Sequence, residues 1–203
     1  MYSIKLASAS PRRHQLLKEA GVEFEIVSVN VSEFPNKNLN TKEQILDIAR
    51  RKARAGIDDL LKIGLDFTQP YVVVGADTEV IFDGGPLGKP EDAKDAERML
   101  RLLSNQTHIV LTAICFIESV QQKEWSHVEE TSVTFRSLSD EEIQSYIASG
   151  DPFDKAGSYG IQSELSRRFI SKIHGPLDNV MGLPVPQFLD LYSKANSFLS
   201  EKL

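Results

Sequence analysis

The stretch Tyr71-Val72-Val73-Val74-Gly75-Ala76-Asp77-Thr78 decides the fold. Its first six residues form a nearly continuous apolar run, the pattern of a strand in the middle of a sheet. The run stops at a carboxylate, Asp77, and ligands of open α/β sheets bind outside the carboxyl ends of such strands. Toward the N-terminus, residues 3–7 read as a strand. Ser10 and Pro11 open a helix with Leu16, Leu17 and Ala20 on one face and Gly21 as its stop. Residues 22–29 resume strand character, and Thr41-Lys42-Glu43-Gln44 matches a capping box for a helix reaching about residue 62. Toward the C-terminus, Asp83-Gly84 is a hairpin turn, and residues 92–103 form a helix with Ala96, Met99, Leu100 and Leu103 inward. Residues 108–118 and 126–136 pair as a hairpin, and Ser139-Asp140-Glu141-Glu142 caps a short helix. A Gly-rich loop at 150–160, a strand at 168–173 and a helix at 184–199 complete the chain. Alternating elements with consecutive strands in the middle predict an α/β fold with a mixed sheet. The central hairpin and the helix after it can form a second lobe, leaving a ligand cleft.

A length of 203 residues predicts one domain spanning 1–203, and 41% hydrophobic residues suffice for a sizeable core. A net charge of −6 argues against a broad basic surface, hence against nucleic acid as partner, but leaves room for a local anion site. No apolar run is long enough to span a membrane, and the first residues read as a strand rather than a signal peptide. The single cysteine, Cys115, sits in an apolar run and reads as a buried thiol. Together these features predict a cytoplasmic protein.

Four segments carry candidate chemistry. Ser8-Ala9-Ser10-Pro11-Arg12-Arg13 joins a strand to a helix start, where free amides and the helix dipole favour an anion. Ser8 and Ser10 add hydroxyls, and Arg12 and Arg13 can clamp phosphate oxygens. The same residues also suit an ordinary capped helix with two solvated arginines. Asp77 can bind a metal or act as a base toward water, and it also suits a plain turn. Lys89, in Gly88-Lys89-Pro90, is biased to an extended conformation by the proline and can meet a phosphate or simply face solvent. Asp154 through Gln162 gathers an acid, a base, a phenol and an amide around two glycines. Glu33, at the end of a strand, and Lys52, in a basic helical stretch, are weaker candidates, for which a surface position is the favoured reading.

Four scattered histidines have no metal-ligand spacing, and neither a nucleophile elbow nor a cysteine–histidine pair is present. A metal would therefore rest on carboxylates, which favours Mg²⁺ or Mn²⁺.

Read in order from Leu6 to about Leu191, these segments resemble the Maf family. The matching pieces are the opening Ser-x-Ser-Pro-Arg-Arg, Glu33, Lys52 between Ala49 and Ala53, Gly75-Ala76-Asp77-Thr78, Gly88-Lys89-Pro90, His108 with Thr112, Asp154–Gln162, and Asn179-Val180-Met181-Gly182-Leu183-Pro184. The resemblance implies an α/β fold with an elongated mixed sheet, flanking helices and a deep cleft between two lobes, related to the inosine-triphosphate pyrophosphatases. It implies an enzyme that hydrolyses a nucleoside triphosphate between the α and β phosphates with a divalent metal (Mg²⁺ or Mn²⁺). Asp77 then matches the proton acceptor, Glu33 a residue near the metal, and Lys52 and Lys89 the lysines of the cleft. Ser-Pro-Arg-Arg together with Asp-Lys-Ala-Gly-x-Tyr-Gly-Ile-Gln is similar to the branch acting on dTTP and UTP, whose specificity positions match Arg12, Thr78 and Gln162. A homodimer is also implied.

The chain departs from the family pattern at Ser163–Arg168, at Gly175-Pro176-Leu177 and at Ser104-Asn105-Gln106, none of which is a proposed catalytic residue. The rival expectations are a non-catalytic nucleotide-binding regulator of cell division, a 7-methyl-GTP-type pyrophosphatase, and a phosphatase that removes the terminal phosphate.

Overall fold

The computed structural model describes residues 1–62, 64 and 70–200. Its strands are β1 (Ser3–Ala7), β2 (Glu25–Ile26), β3 (Tyr71–Phe82), β4 (Gly85–Pro86), β5 (Thr107–Glu118), β6 (Glu124–Phe135) and β7 (Ile170–His174). Its α-helices are α1 (Pro11–Glu19), α2 (Thr41–Lys62), α3 (Ala93–Leu103), α4 (Asp140–Ala148), α5 (Glu164–Arg167), α6 (Leu177–Met181) and α7 (Val185–Ser200). Among the described residues the strands form one mixed sheet, ordered β2-β1-β3-β5-β6-β7, with β4 folded back on β3. β1 pairs in parallel with both β2 and β3. Glu118 N donates to Lys123 O at one end of the β5–β6 pair and Phe135 N to Gln106 O at the other, so that hairpin is antiparallel. The expected α/β fold with a mixed sheet and flanking helices is therefore present.

The chain divides into two compact units. The first comprises residues 1–77, 112–129 and 182–203; the second comprises 78–111 and 130–181. In the first, the apolar run of β3 is fully covered: Val72, Val73, Val74 and Ala76 have no exposed surface. Helix α2 lies against this part of the sheet because the facing residues are small. A Cβ on Gly75 would fall 2.0 Å from the Ala49 carbonyl oxygen and 2.6 Å from the Ala53 nitrogen. Cys115 is fully buried here, and burial pushes its thiol up to about 12. In the second unit, Ala96, Leu100 and Leu103 of α3 pack with Val133, Phe135, Tyr146 and Phe169 in one cluster, as the periodicity of 92–103 predicts. Asp83 and Gly84 both have positive φ, 50° and 76°, the geometry of a tight hairpin turn, and they return the chain from Phe82 to Gly85.

Six local expectations need correction. The strand expected at 22–29 shrinks to Glu25–Ile26, because the chain just before it is spent on closing α1. Gly21 N donates to Lys18 O and Val22 N to Leu17 O, with Gly21 at φ +70°. Glu33 consequently lies in irregular chain and not at a strand end. The box that opens α2 is built one residue earlier than expected: Asn40 Oδ1 accepts from Glu43 N and Glu43 Oε2 from Asn40 N, both at 3.0 Å. Asp77 lies inside a longer strand, although the parallel pairing of β1 with β3 ends at Ala7–Gly75, two residues before it. The Gly-rich loop is wound into two 3₁₀ turns, Asp151–Asp154 and Ala156–Ser158. Arg168 and Phe169 bond back to Leu165 and Ser166, and this delays β7 to Ile170.

Candidate active site

The first unit brings Ser8, Arg13, Glu33, Lys52 and Asp77 into one neighbourhood. β1 delivers Ser8, a buried residue, to the start of α1. Ser10 holds the N-cap position but makes no side-chain cap bond; the loop is tied from Ser8 instead. Ser8 Oγ accepts from the Ser10 amide at 3.3 Å and from Arg13 Nη1 at 3.1 Å. Arg13 Nε donates to the Gly182 carbonyl at 2.8 Å. This buried guanidinium therefore braces the strand-to-helix loop against the Gly182 segment, a role the sequence did not reveal. Arg12, next to it, is half-buried.

Asp77 and Lys52 meet because α2 approaches β3 so closely. Gly75 admits Ala49 and Ala53, which leaves Lys52 next to Ala53 on the helix and Asp77 two residues along the strand. Lys52 Nζ lies 2.7 Å from Asp77 Oδ1 and 2.6 Å from Glu33 Oε1. Two carboxylates thus converge on one ammonium. The lysine is buried and Asp77 nearly so, while Glu33 reaches in from outside with 54% of its side chain exposed. A pair so placed interacts through less water than a surface pair does. Their charge extends to Arg13: burial lowers its pKa, and the charge of Asp77, followed by that of Glu33, works in the opposite direction.

The second unit holds Thr78, Lys89 and Gln162. Thr78 follows Asp77 on β3 and is half-buried, while Lys89 and Gln162 are exposed. Gly157 N donates to the Gly88 carbonyl at 2.8 Å, so the Gly88-Lys89-Pro90 loop and the Asp154–Gln162 segment are physically joined. Gly157 has φ +68°, and a Cβ there would come within 3.0 Å of Val80, which explains this glycine. Lys155 is an internal tie, donating to Asp151 Oδ1 at 2.9 Å and Asp154 Oδ1 at 2.6 Å. Tyr159 is buried, with its hydroxyl 2.6 Å from His108 Nε2. Thr112 of the same motif as His108 is fully buried, and Asn179 donates to the Val110 carbonyl at 3.0 Å. Spacing alone could not reveal these buried bonds.

A hydroxyl-lined strand-to-helix loop beside two carboxylates that share the Lys52 ammonium defines an α/β protein with the makings of an anion site. Comparison with known proteins narrows the class. The family model described as Maf-like protein matches residues 3–195, and the chain belongs to that family. It is 54% identical to a Bdellovibrio bacteriovorus protein named dTTP/UTP pyrophosphatase, over 93% of this chain and 96% of the relative. It is 44% identical to a protein of the same name from Escherichia coli O157:H7, over 100% of this chain and 97% of the relative. Among the described residues, no helix is long and apolar enough to cross a membrane.

Proposed function

We propose that this chain hydrolyses dTTP and UTP to the nucleoside monophosphate and pyrophosphate. The observation that carries the reading is the convergence of Asp77 and Glu33 on Lys52, beside the Ser8–Arg13 loop. The name carried by relatives of near-equal length supports it.

The donor set fits a divalent cation. Two carboxylate oxygens already surround one positive centre, the Lys52 ammonium, and oxygen donors suit Mg²⁺ or Mn²⁺. No group of three or more metal-binding side chains occurs among the described residues. Mg²⁺ commonly takes one or two carboxylates and completes its shell with water and substrate phosphates. Asp77 and Glu33 would hold the ion. Bound there, it would supply Lewis-acid polarisation of a phosphoryl oxygen.

Asp77 accepts a proton from the water that attacks the α-phosphorus. The new bond is water oxygen to α-phosphorus. The bond broken joins the α-phosphorus to the bridging oxygen, and its electrons leave with pyrophosphate. The N-terminal amides of α1, Ser8, Ser10 and Arg12 receive phosphate oxygens, and Arg13 holds that loop in shape. Lys52 and Lys89 offset the charge that grows on the leaving group. Gln162 offers one donor and one acceptor, which match the O–C–N–H edge shared by uracil and thymine, with Thr78 and Arg12 as the other specificity positions. The buried thiol of Cys115 supports a reducing, cytoplasmic setting.

The test is product analysis on a panel of nucleoside triphosphates with Mg²⁺, Mn²⁺ or chelator. Pyrophosphate and monophosphate in equal amounts from dTTP and UTP are expected. Orthophosphate as the first product, or binding without turnover, would overturn the reading.

A further inference from the structure

Glu33 poses a physical problem. It sits in a stretch, residues 27–36, that belongs to neither helix nor strand, and more than half of its side chain is exposed. A carboxylate on such chain has many positions available, and ordering it against one ammonium needs a local restraint. Arg51 supplies one. It precedes Lys52 on α2, and its Nε donates to Asp47 Oδ2 at 3.0 Å, one helical turn back. Aimed in this way, its Nη1 donates to the Ser32 carbonyl and its Nη2 to the Phe34 carbonyl at 3.0 Å. Those two carbonyls flank Glu33. One planar guanidinium therefore grips the chain on both sides of the residue whose carboxylate meets Lys52 at 2.6 Å.

We propose that Arg51, aimed by Asp47, is a positioning residue that fixes Glu33 opposite Lys52 and presets the carboxylate pair. This rests on the reading of Asp77 and Glu33 as the pair that holds the divalent cation. A lysine at position 51 carries a single nitrogen and cannot span both carbonyls while also bonding Asp47, so Arg51→Lys should restore the effect only in part.

The experiment has two readouts on the full-length chain. Hydrogen–deuterium exchange, with neither metal nor nucleotide added, reads the loop itself. In Arg51→Met the amides of residues 28–34 and 36 should exchange about tenfold faster, the factor that one lost charge-assisted bond carries. The Mg²⁺ concentration for half-maximal pyrophosphate release should rise about fivefold to tenfold, at the mild end for an outer-shell group, and Glu33→Gln should raise it further. Asp47→Asn provides the same test at lower amplitude should Arg51→Met fold poorly.

Unchanged exchange in both Arg51→Met and Asp47→Asn overturns the proposal. So does faster exchange without a shift in Mg²⁺ dependence, and Glu33→Gln then tells the two failures apart. If Glu33→Gln shifts the dependence, only the role of Arg51 falls. If Glu33→Gln is silent too, the metal assignment falls with it.

Discussion

Replacing Gly75 by alanine tests the contact on which the carboxylate–lysine geometry depends. The added methyl would lie 2.0 Å from the Ala49 carbonyl oxygen and 2.6 Å from the Ala53 nitrogen. Both are backbone atoms of α2, so no rotamer change relieves the clash. Restoring contacts to about 3.5 Å requires the helix to retreat from β3 by roughly 1.5 Å or more. The Lys52–Asp77 bond of 2.7 Å would then stretch to roughly 4.2 Å, beyond hydrogen-bonding range. Overpacking costs about 1–3 kcal/mol and reaches the upper end where the obstacle is backbone. For a chain of this size that cost is a fall in Tm of roughly 6–12 °C, at about 2–4 °C per kcal/mol. Gly56→Ala is the internal control. Its methyl would meet side-chain atoms, Val73 Cγ1 at 2.7 Å and Ala7 Cβ at 3.2 Å. Helix propensity returns about 1 kcal/mol there, so the net loss should be about 0–2 kcal/mol. Circular-dichroism melts rank the variants, and pyrophosphate release measured well below both midpoints reports the lysine–carboxylate geometry. A Gly75→Ala protein that melts within about 2 °C of the parent would refute the argument. So would one no less stable than Gly56→Ala.

Asp77→Asn keeps the shape of the side chain and removes the base, so kcat for pyrophosphate release should fall about 10²–10⁴-fold with the melting curve little changed. Near-normal turnover would remove Asp77 from the chemistry. Gln162→Ala, at an exposed position, should compress the preference for dTTP and UTP over CTP by about tenfold, the value of one specific hydrogen bond; an unaltered ranking would exclude Gln162 from base recognition. Burial pushes the His108 imidazole down to about 4, below the ordinary value near 6.5 that it regains on unfolding. The unfolded chain therefore takes up this proton first. The contribution is intact above about pH 6.5 and is lost as pH falls toward 4, by about 2 kcal/mol between pH 7 and 5. Urea midpoints at those two pH values should differ in the parent and converge in His108→Gln; an equal slope in both would assign the acid sensitivity elsewhere.

The sequence predicted elements best where pattern and burial say the same thing. The run Tyr71–Ala76 is a fully covered strand, and Ala96, Met99, Leu100 and Leu103 of α3 are all buried as their spacing requires. Sequence patterning erred where a segment served two purposes. Residues 20–22 have strand-like neighbours but are used to close α1, so β2 begins only at Glu25. Asp77 reads as the residue that ends a strand because polarity starts there. In fact β3 continues to Phe82 once its partner β1 has ended, and a strand needs only one continuous hydrogen-bonded neighbour to go on.

The same distinction governs the candidate site. Residue types can be read from a sequence, but pairing between distant segments cannot. Ser8, Arg13, Glu33, Lys52 and Asp77 each suit an ordinary surface or capping position when taken alone. Of these contacts, Lys52 to Asp77 depends on glycine at position 75, which lets α2 come close to β3. The Asp47–Arg51 spacing of four residues could have suggested a helical ion pair. Nothing in that spacing points to the Ser32 and Phe34 carbonyls, because backbone acceptors carry no sequence signal. Arg13 errs in the opposite direction. Its place beside Arg12 suggests a second phosphate clamp, yet its Nε and Nη1 bond the Gly182 carbonyl and Ser8. Arg13 thus braces the loop from within, and the proposed phosphate contact rests on Arg12.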